Sequence, residues 1–421
     1  MIDSVIGVLL MSRRGRKWRE TDRVQKAALL ALLLVAAWSW PGLIGAEEFR
    51  VNTGAELVTA LAEADNNGEN DVIVLAAGTY SGNFEYVPRD GLAVRLHGEQ
   101  GTKSADVILD GGGSGTVVAL RPSTVGGTVR LENLTIQGGA YAGLSIGYAE
   151  GNIVVFLTHV VVQDNLSGGH GGGILIRPYG NGTVKVEIQD SVIRRNRASN
   201  RGGGIYASAR FGNRSVNLLL VNVLVYGNQA EWSGGGLQLS ASEVGDDNEL
   251  RAVVIHSTIT GNVCDTSRAG FEKGGGIRVW ANDGTGAQAT LDLYNTILYG
   301  NHAVGGDEDQ DLYIFEKSPG EAVVNVYSSD VGVATLGGGL PTYNETEVIS
   351  TEPAFFDIAA DNYHLMVSSL CRDAGTVAIP DPPGLPQHDF DGQRRLIGRA
   401  PDMGADEYTV VGVHIPLLLY D

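Results

Sequence analysis

Residues 196–205 read NRASNRGGGI, and this pairing of an asparagine with a Gly-Gly-Gly-Ile phrase decides the fold. The phrase, with Ile or Leu in its last position, occurs four times, and an asparagine precedes each copy. The copies start at Gly171, Gly202, Gly234 and Gly274, after Asn165, Asn196, Asn228 and Asn262. These asparagines are 31, 32 and 34 residues apart. A period of this length marks a repeat architecture, in which each unit buries its apolar face only by stacking on its neighbours.

The second half of each unit alternates apolar and polar residues, as in Val184, Val186 and Ile188 with polar residues between them. A period of two is typical of strands, and these runs are short and bounded by Gly, Asn, Asp or Ser. Extending the alignment recovers weaker copies, so that seven coils are visible; they are centred on Asn133, His159 and Ser328. The pattern excludes a helical solenoid and predicts an all-β solenoid of stacked parallel strands.

The asparagines are predicted to lie at corners, where their amides bond to the same amide in the coils above and below. This turn ladder consists of Asn165, Asn196, Asn228, Asn262 and Asn301. The triple glycines fit the same geometry, because they allow backbone to pass closely over backbone. A phosphate-binding loop is the rival interpretation, but the phrases lack the Lys-Ser/Thr of a P-loop and precede strands.

Taken together, the repeats resemble the right-handed parallel β-helix proteins of the pectin-lyase-like superfold. The resemblance covers Glu48 to about Tyr408, and its end is similar to bacterial secreted or surface proteins of the choice-of-anchor Q type. The matching closing motifs are Glu352-Pro353-Ala354-Phe355, Asp373-Ala374-Gly375-Thr376 and Pro401-Asp402-Met403-Gly404-Ala405-Asp406-Glu407-Tyr408. The resemblance implies a single-stranded right-handed parallel β-helix whose relatives include lyases and hydrolases of acidic polysaccharides.

The chain divides into five predicted segments. Residues 1–46 are a signal peptide and residues 47–110 hold a cap helix and the first rungs. Residues 111–345 form the coils, with a repeat of about 31–39 residues, residues 346–408 are a closing region and residues 409–421 a tail. The cap helix is expected over residues 52–64, with Thr53 as N-cap and Glu56 as its partner.

The predicted signal combines a basic stretch with an apolar run over residues 27–37, too short for a stable membrane span. Either Met1 or Met11 fits as its start. Residues 1–46 hold seven basic and three acidic residues, so their removal leaves 23 Lys or Arg against 46 Asp or Glu. This acidic balance disfavours nucleic acid and anionic membranes as partners. We expect a secreted or cell-surface monomer.

Catalytic and metal candidates are few. Gly169-His170-Gly171 supplies the Gly-His-Gly of the polygalacturonase type without its accompanying carboxylate motifs, which leaves His170 as a weak catalytic candidate beside a plain loop residue. Two acidic loops are weak candidates for a structural calcium ion, with solvated turns as the alternative, and no other cofactor is expected. Their candidate ligands are Asp307, Asp309, Asp389 and Asp391.

The outward positions after the Gly-Gly-Gly phrases offer a binding face. Aromatic rings, an amide and guanidinium groups suit an extended polysaccharide or a cell-surface glycan. The candidate ligand-binding residues are Arg177, Tyr206, Gln238, Arg278 and Trp280. The sequence therefore favours a non-catalytic protein that binds polysaccharide or mediates adhesion through an exposed face. The alternatives are a pectate-lyase-like lyase or a hydrolase of acidic polysaccharide, and a structural spacer.

Overall fold

The chain is a right-handed parallel β-helix, as the repeat pattern predicts. The computed structural model describes residues 47–121, 124–147, 152–178, 182–210, 214–242, 248–264, 273–282, 286–304 and 310–409. The predicted signal peptide and most of the predicted tail lie outside these residues. Three parallel sheets run along the solenoid, and successive coils stack in register.

Sheet A carries the longest strands and turns a corner within them. Its strands are Glu47–Val51, Asp71–Leu75, Gly78–Ser81, Ala93–Gly98, Val107–Asp110, Gly127–Gln137, Ile153–Gln163, Thr183–Arg194, Ser215–Tyr226, Glu249–Ile255, Thr258–Thr260, Gln288–Tyr294, Ile297–Tyr299, Glu321–Tyr327, Asp330–Val331 and Thr342–Thr346. At the corner a residue adopts positive φ in coil after coil, as Asn222 does at 54°. Asparagine and aspartate tolerate this left-handed region better than other non-glycine residues.

Sheets B and C complete each coil. The strands of sheet B are Phe84–Tyr86, Thr116–Leu120, Ala142–Ile146, Ile174–Ile176, Ile205–Arg210, Leu237–Ser242, Ile277–Asn282, Leu312–Lys317 and Ala334–Gly338. The short strands of sheet C are Leu166–Ser167, Arg197–Ala198, Gln229–Ala230, Val263–Cys264 and His302–Ala303. Each strand of sheet B from Ile174 to Asn282 starts at the last residue of a Gly-Gly-Gly-Ile/Leu phrase, so the phrases are the corners between sheets C and B.

The core is a set of apolar files that run along the solenoid axis. The first inward file of sheet B is fully buried and consists of Ile174, Ile205, Leu237 and Ile277. Each of these residues is paired with the next in register, so every coil supplies one layer of the core. A single coil could not bury these apolar side chains, because the coils above and below supply the covering surface.

Helix α1 (Gly54–Ala64) covers the amino-terminal end of this core. The Thr53 side chain caps it by accepting a hydrogen bond from the Glu56 amide, as the sequence predicts. Leu57 and Leu61 are buried on its apolar face. Within the described residues, no helix has the length and apolar character needed to cross a membrane.

The closing region, residues 346–408, folds back along the outer side of the sheet A corner. It contains an antiparallel pair of strands, Phe355–Asp357 and Asn362–Leu365, and the 3-10 turn Ile358–Ala360; a second 3-10 turn, Ser104–Asp106, lies in an early coil. The Tyr363 ring packs 4.8 Å from the Tyr226 ring, and Asn222 donates to the His388 carbonyl at 2.9 Å. The region therefore forms a second buried layer on sheet A.

Candidate functional site

The predicted binding residues lie on the outward face of sheet B. Tyr206, Gln238 and Arg278 are paired in register, which puts them on neighbouring strands at the same level. Trp280 follows two residues later in the same strand as Arg278. Arg177 lies just beyond the end of the Ile174–Ile176 strand. The sequence period therefore places these side chains on one side of the sheet.

The prediction that this face is exposed is wrong for three of its five candidate residues. Tyr206, Gln238 and Arg278 are 1%, 0% and 9% exposed. The reason is a second layer of side chains from the turns that precede each strand. Ser233 donates to the Gln238 side-chain oxygen at 2.7 Å, and the Arg201 guanidinium lies 4.5 Å from the Trp280 ring centre.

This covering layer is cationic and aromatic. The Arg278 guanidinium lies 5.0 Å from the Trp280 ring and 5.5 Å from the Tyr313 ring. Burial, followed by the charge of Arg201, lowers the pKa of Arg278 to about 10, so it remains cationic at neutral pH. The packed layer leaves no open surface for a sugar chain at Gln238. An open groove begins beside it, at His170, whose ring stacks on Tyr206.

The open groove lies over the first four strands of sheet B. The outward position of the first strand is Glu85, and those of the next three are small or of medium size, namely Ala119, Ser145 and Leu175. They leave a cavity of about 560 Å³. We call this the sheet B groove. Its other lining residues are Asn83, Phe84, Glu85, Gly115, Thr116, Arg121, Tyr141, Ser167, Gly169, His170 and Arg177. Its volume is within the range of ligand-binding clefts.

His170 stands at the junction of the groove and the packed layer. Its ring stacks on the Tyr206 ring with centres 4.4 Å apart. Ser167 fixes the turn before it, because its hydroxyl accepts from the Gly169 amide and donates to the His170 carbonyl. The Nδ1 atom of His170 is buried and has no hydrogen-bond partner among the described residues.

The environment of His170 keeps its ring neutral. Burial is the largest cause and the charges of Arg201, Arg177 and Arg210 add to it, so that the pKa of His170 falls to about 4. An imidazole held neutral beside guanidinium groups has a free nitrogen lone pair near neutral pH. The same burial and charges make the free ring a weak base, and a bound anion that offset the guanidinium charges would raise its basicity.

The charges in the groove suit an anion. Arg121 pairs with Glu85 at 3.4 Å, both side chains being half exposed, and Arg177 lines the same cavity. Among the described lining residues, Glu85 is the sole carboxylate. Two-carboxylate glycoside hydrolysis, which needs a second acid, therefore finds no support here.

A second cavity, of about 660 Å³, lies over the outer face of sheet A and holds two carboxylates. Glu187 and Asp292 occupy the same level, with Leu219 and Val253 on the two strands between them. Three strand spacings put the carboxylates about 14 Å apart. Asp292 also accepts from Arg251 and Asn325, so the two acids cannot act as a pair.

The asparagine ladder lies inside the solenoid, away from both cavities. Asn165, Asn196, Asn228 and Asn262 each donate from Nδ2 to the Oδ1 of the next asparagine, at 2.9, 3.0, 2.9 and 2.8 Å. Asn301 ends the file by donating to Asp311 at 2.9 Å. The ladder satisfies buried polar groups at the corners and contacts no groove.

Two of the four calcium candidates, Asp389 and Asp391, belong to the described residues. Asp307 and Asp309 lie outside the described residues. Asp389 accepts from the amides of Asp391, Gln393 and Glu407, so its carboxylate holds its own turn together. Asp391 instead contacts His364 at 2.5 Å.

Sequence reasoning missed Arg121 and Tyr141 as groove residues and Arg201 as a residue of the covering layer. Arg121 and Tyr141 belong to early coils, where the repeat is weak and no Gly-Gly-Gly run is followed by Ile or Leu. Arg201 lies in a turn, and strand periodicity gives no side for a turn residue. One signal was available: a run of small outward residues predicts a depression in the sheet.

No protein-family model and no curated protein sequence matches the chain. Several solved structures are similar to it. An alginate lyase from Paenibacillus sp. str. FPU-7 is 13% identical with a TM-score of 0.37, over 72% of this chain and 99% of that one. A pectate lyase is 13% identical with a TM-score of 0.40, over 87% and 98%. The A-module of a mannuronan C-5 epimerase from Azotobacter vinelandii is 14% identical with a TM-score of 0.30, over 71% and 95%. At these identities and TM-scores the likenesses decide nothing about activity, and the choice-of-anchor Q resemblance stays a prediction.

Proposed function

We propose that this protein is a lyase that binds an acidic polysaccharide in the sheet B groove. The observation that carries the proposal is the neutral imidazole of His170 beside Arg177 in an open cavity. The whole chain has a net charge of −19, so a groove lined by guanidinium groups is a local exception in an acidic protein. Such an exception favours an anionic ligand.

The groove offers the contacts that a chain of uronate sugars needs. The Tyr141 side chain is 68% exposed and lines the groove, so its ring is available to stack on a sugar face. Arg121 and Arg177 are suited to bidentate hydrogen bonds with sugar carboxylates. A neutral polysaccharide lacks the carboxylates and is expected to bind poorly.

The proposed reaction is a β-elimination. His170 takes the proton from the carbon next to the sugar carboxylate, and the electron pair of that C–H bond forms a double bond to the neighbouring ring carbon. The glycosidic C–O bond on that carbon breaks, and the leaving oxygen takes the proton from the imidazolium. Arg177 stabilises the negative charge that develops on the carboxylate. Water is not consumed.

The proposed function includes secretion of the protein from the cell. The predicted signal over residues 1–46 would deliver the protein to the outside of the cell, where acidic polysaccharides are accessible. The acidic balance of the mature chain suits a protein that works as a soluble monomer.

Arg177→Ala is expected to weaken binding to polygalacturonate or alginate about tenfold, because a charge-assisted hydrogen bond contributes about 1.5 kcal/mol or more. Affinity electrophoresis with each polysaccharide measures this effect. Lys185→Ala is the matched control, since it removes an exposed cation from the outer face of sheet A. Equal weakening by both variants would mean that only the overall charge matters, and the groove would lose its role.

His170→Gln is expected to lower the elimination rate at least about a hundredfold while binding is retained. The ultraviolet absorbance of the new double bond conjugated to the carboxylate follows the reaction. Because the pKa of His170 in the ligand-free protein is about 4, the base is about nine-tenths neutral at pH 5, and the wild-type kcat/KM is expected to fall only below about pH 4.5. An ordinary histidine would lose its activity near pH 6.5.

Binding without any unsaturated product would instead favour a non-catalytic polysaccharide-binding protein. The exposed ring of Tyr141 and the two arginines support that second function as well. Wild type with neither binding nor product would refute both.

A further inference from the structure

Three potential metal ligands from separate segments meet in the closing region. His364 belongs to the strand Asn362–Leu365, Asp391 to the loop after Phe390 and Asp406 to the last described segment. One ligand atom of each residue lies within 4.8 Å of the others. His364 and Asp406 are 8% and 9% exposed.

Both ring nitrogens of His364 face oxygen acceptors. Nδ1 lies 2.5 Å from the side-chain oxygen of Asn362, which also accepts from the His364 amide. Nε2 lies 2.5 Å from a carboxylate oxygen of Asp391. A neutral imidazole carries one N–H and one lone pair, so one of these contacts needs a second proton. A cation that replaced the proton at Nε2 would move Nε2 and the Asp391 oxygen to about 3 Å apart, as two metal–ligand bonds of about 2.0–2.1 Å require.

Around His364 there are more carboxyl groups than buried cations among the described residues of the closing region. These buried cations are Arg395 and His364, and the carboxyl groups that act on them are Asp389, Asp391, Asp402, Asp406 and Glu407. The Arg395 guanidinium donates to carbonyl oxygens and to Asn222. Within the described part of the chain, the Asp406 side chain accepts one hydrogen bond, from the Leu365 amide.

A small cavity adjoins the three ligands. Its volume is about 10 Å³, which is close to the space that one water molecule needs. His364, Asp391 and Asp406 line it on one side, and apolar side chains enclose the rest. The cavity therefore has room for a fourth, water ligand of a metal ion.

We propose that His364, Asp391 and Asp406 bind one divalent transition-metal ion, with Zn²⁺ or Mn²⁺ as the class. One imidazole nitrogen and two carboxylate oxygens suit these ions better than calcium, which takes oxygen ligands. Asn362 orients the ring by accepting the Nδ1 proton. Asp391 and Asp406 follow His364 by 27 and 42 residues, so the ion would cross-link three separate segments of the closing region.

The test uses the full chain after dialysis against a chelator, with ZnCl₂ and MnCl₂ titrated separately in a calorimeter. We expect one ion per chain for at least one metal and a rise in the thermal midpoint. Asp391→Asn is expected to weaken binding at least about a hundredfold, and Asn362→Ala about tenfold.

Asp402→Asn is the matched control, because it alters a buried carboxylate of the same region outside the three ligands. It is expected to keep the wild-type affinity even where it lowers stability. Absence of binding in wild type, or equal binding by wild type and Asp391→Asn, would overturn the proposal and leave a buried ion pair only.

Discussion

Alanine at Gly203 is expected to destabilise the protein by about 3 kcal/mol, at the upper end of the usual cost of overpacking. A Cβ at this position would lie 2.4 Å from the carbonyl oxygens of Gln229 and Gly235. Both oxygens belong to the backbone of the next coil, so relief requires the coils to move apart. That movement would lengthen the hydrogen bond from the Gly204 amide to the carbonyl of Gly235.

Gly168→Ala is the matched control for this prediction. A Cβ at Gly168 would meet nothing within 4 Å, and its φ is not in the left-handed region. Alanine there is expected to be neutral or to stabilise slightly, by up to about 1 kcal/mol, through the unfolded state. Urea unfolding followed by circular dichroism gives both differences. Similar stabilities for the two variants would show that the coils tolerate a side chain at the corner.

The repeat explains why so much of the fold is predictable from the sequence. Gly172, Gly203, Gly235 and Gly275 solve the same packing problem in four coils, so the same residue recurs and its period is visible. The asparagines recur for the same reason. A packing requirement that every coil shares therefore selects the same residue at the same position of each repeat.

The residues of the candidate site do not recur with the repeat. Strand alternation assigns Tyr206 and Gln238 to the outward side, but it cannot tell what covers that side. The covering residues His170, Arg201 and Ser233 differ from coil to coil, because each meets a different neighbour. Exposure on the outside of a solenoid therefore depends on its turns, whose sequences are not periodic.

The sequence predicts where the closing region lies in the chain, but it does not predict which side chains meet there. Its motifs mark where the repeats end, whereas His364 and Asp406 are brought together by a chain path without any period. The same holds for Arg395, which contacts Asn222 across 173 residues of sequence. Pairings at such separations arise from packing of the closing region on sheet A.

Arg395 is the residue that fixes this packing. Its side chain is fully buried and donates to the carbonyl oxygens of Gly404, Ala405 and Asp406. It also donates to the Asn222 side chain at 2.8 Å and lies 3.9 Å from Glu407. One guanidinium thus joins the last described segment to the sheet A corner and offsets buried negative charge.

Arg395→Met is expected to destabilise the closing region by about 3–5 kcal/mol, because removing one member of a buried ionic network leaves the other charges and carbonyl groups uncompensated. Methionine has a similar length, so a cavity contributes little to the loss. Limited proteolysis should cut the variant within residues 346–408 at protease concentrations that leave the wild type intact. Arg394→Met changes the exposed neighbour and should behave as wild type. If Arg395→Met resisted proteolysis equally well, the apolar contacts of Tyr363 and Phe390 with sheet A would suffice to hold the region, and the guanidinium would be dispensable.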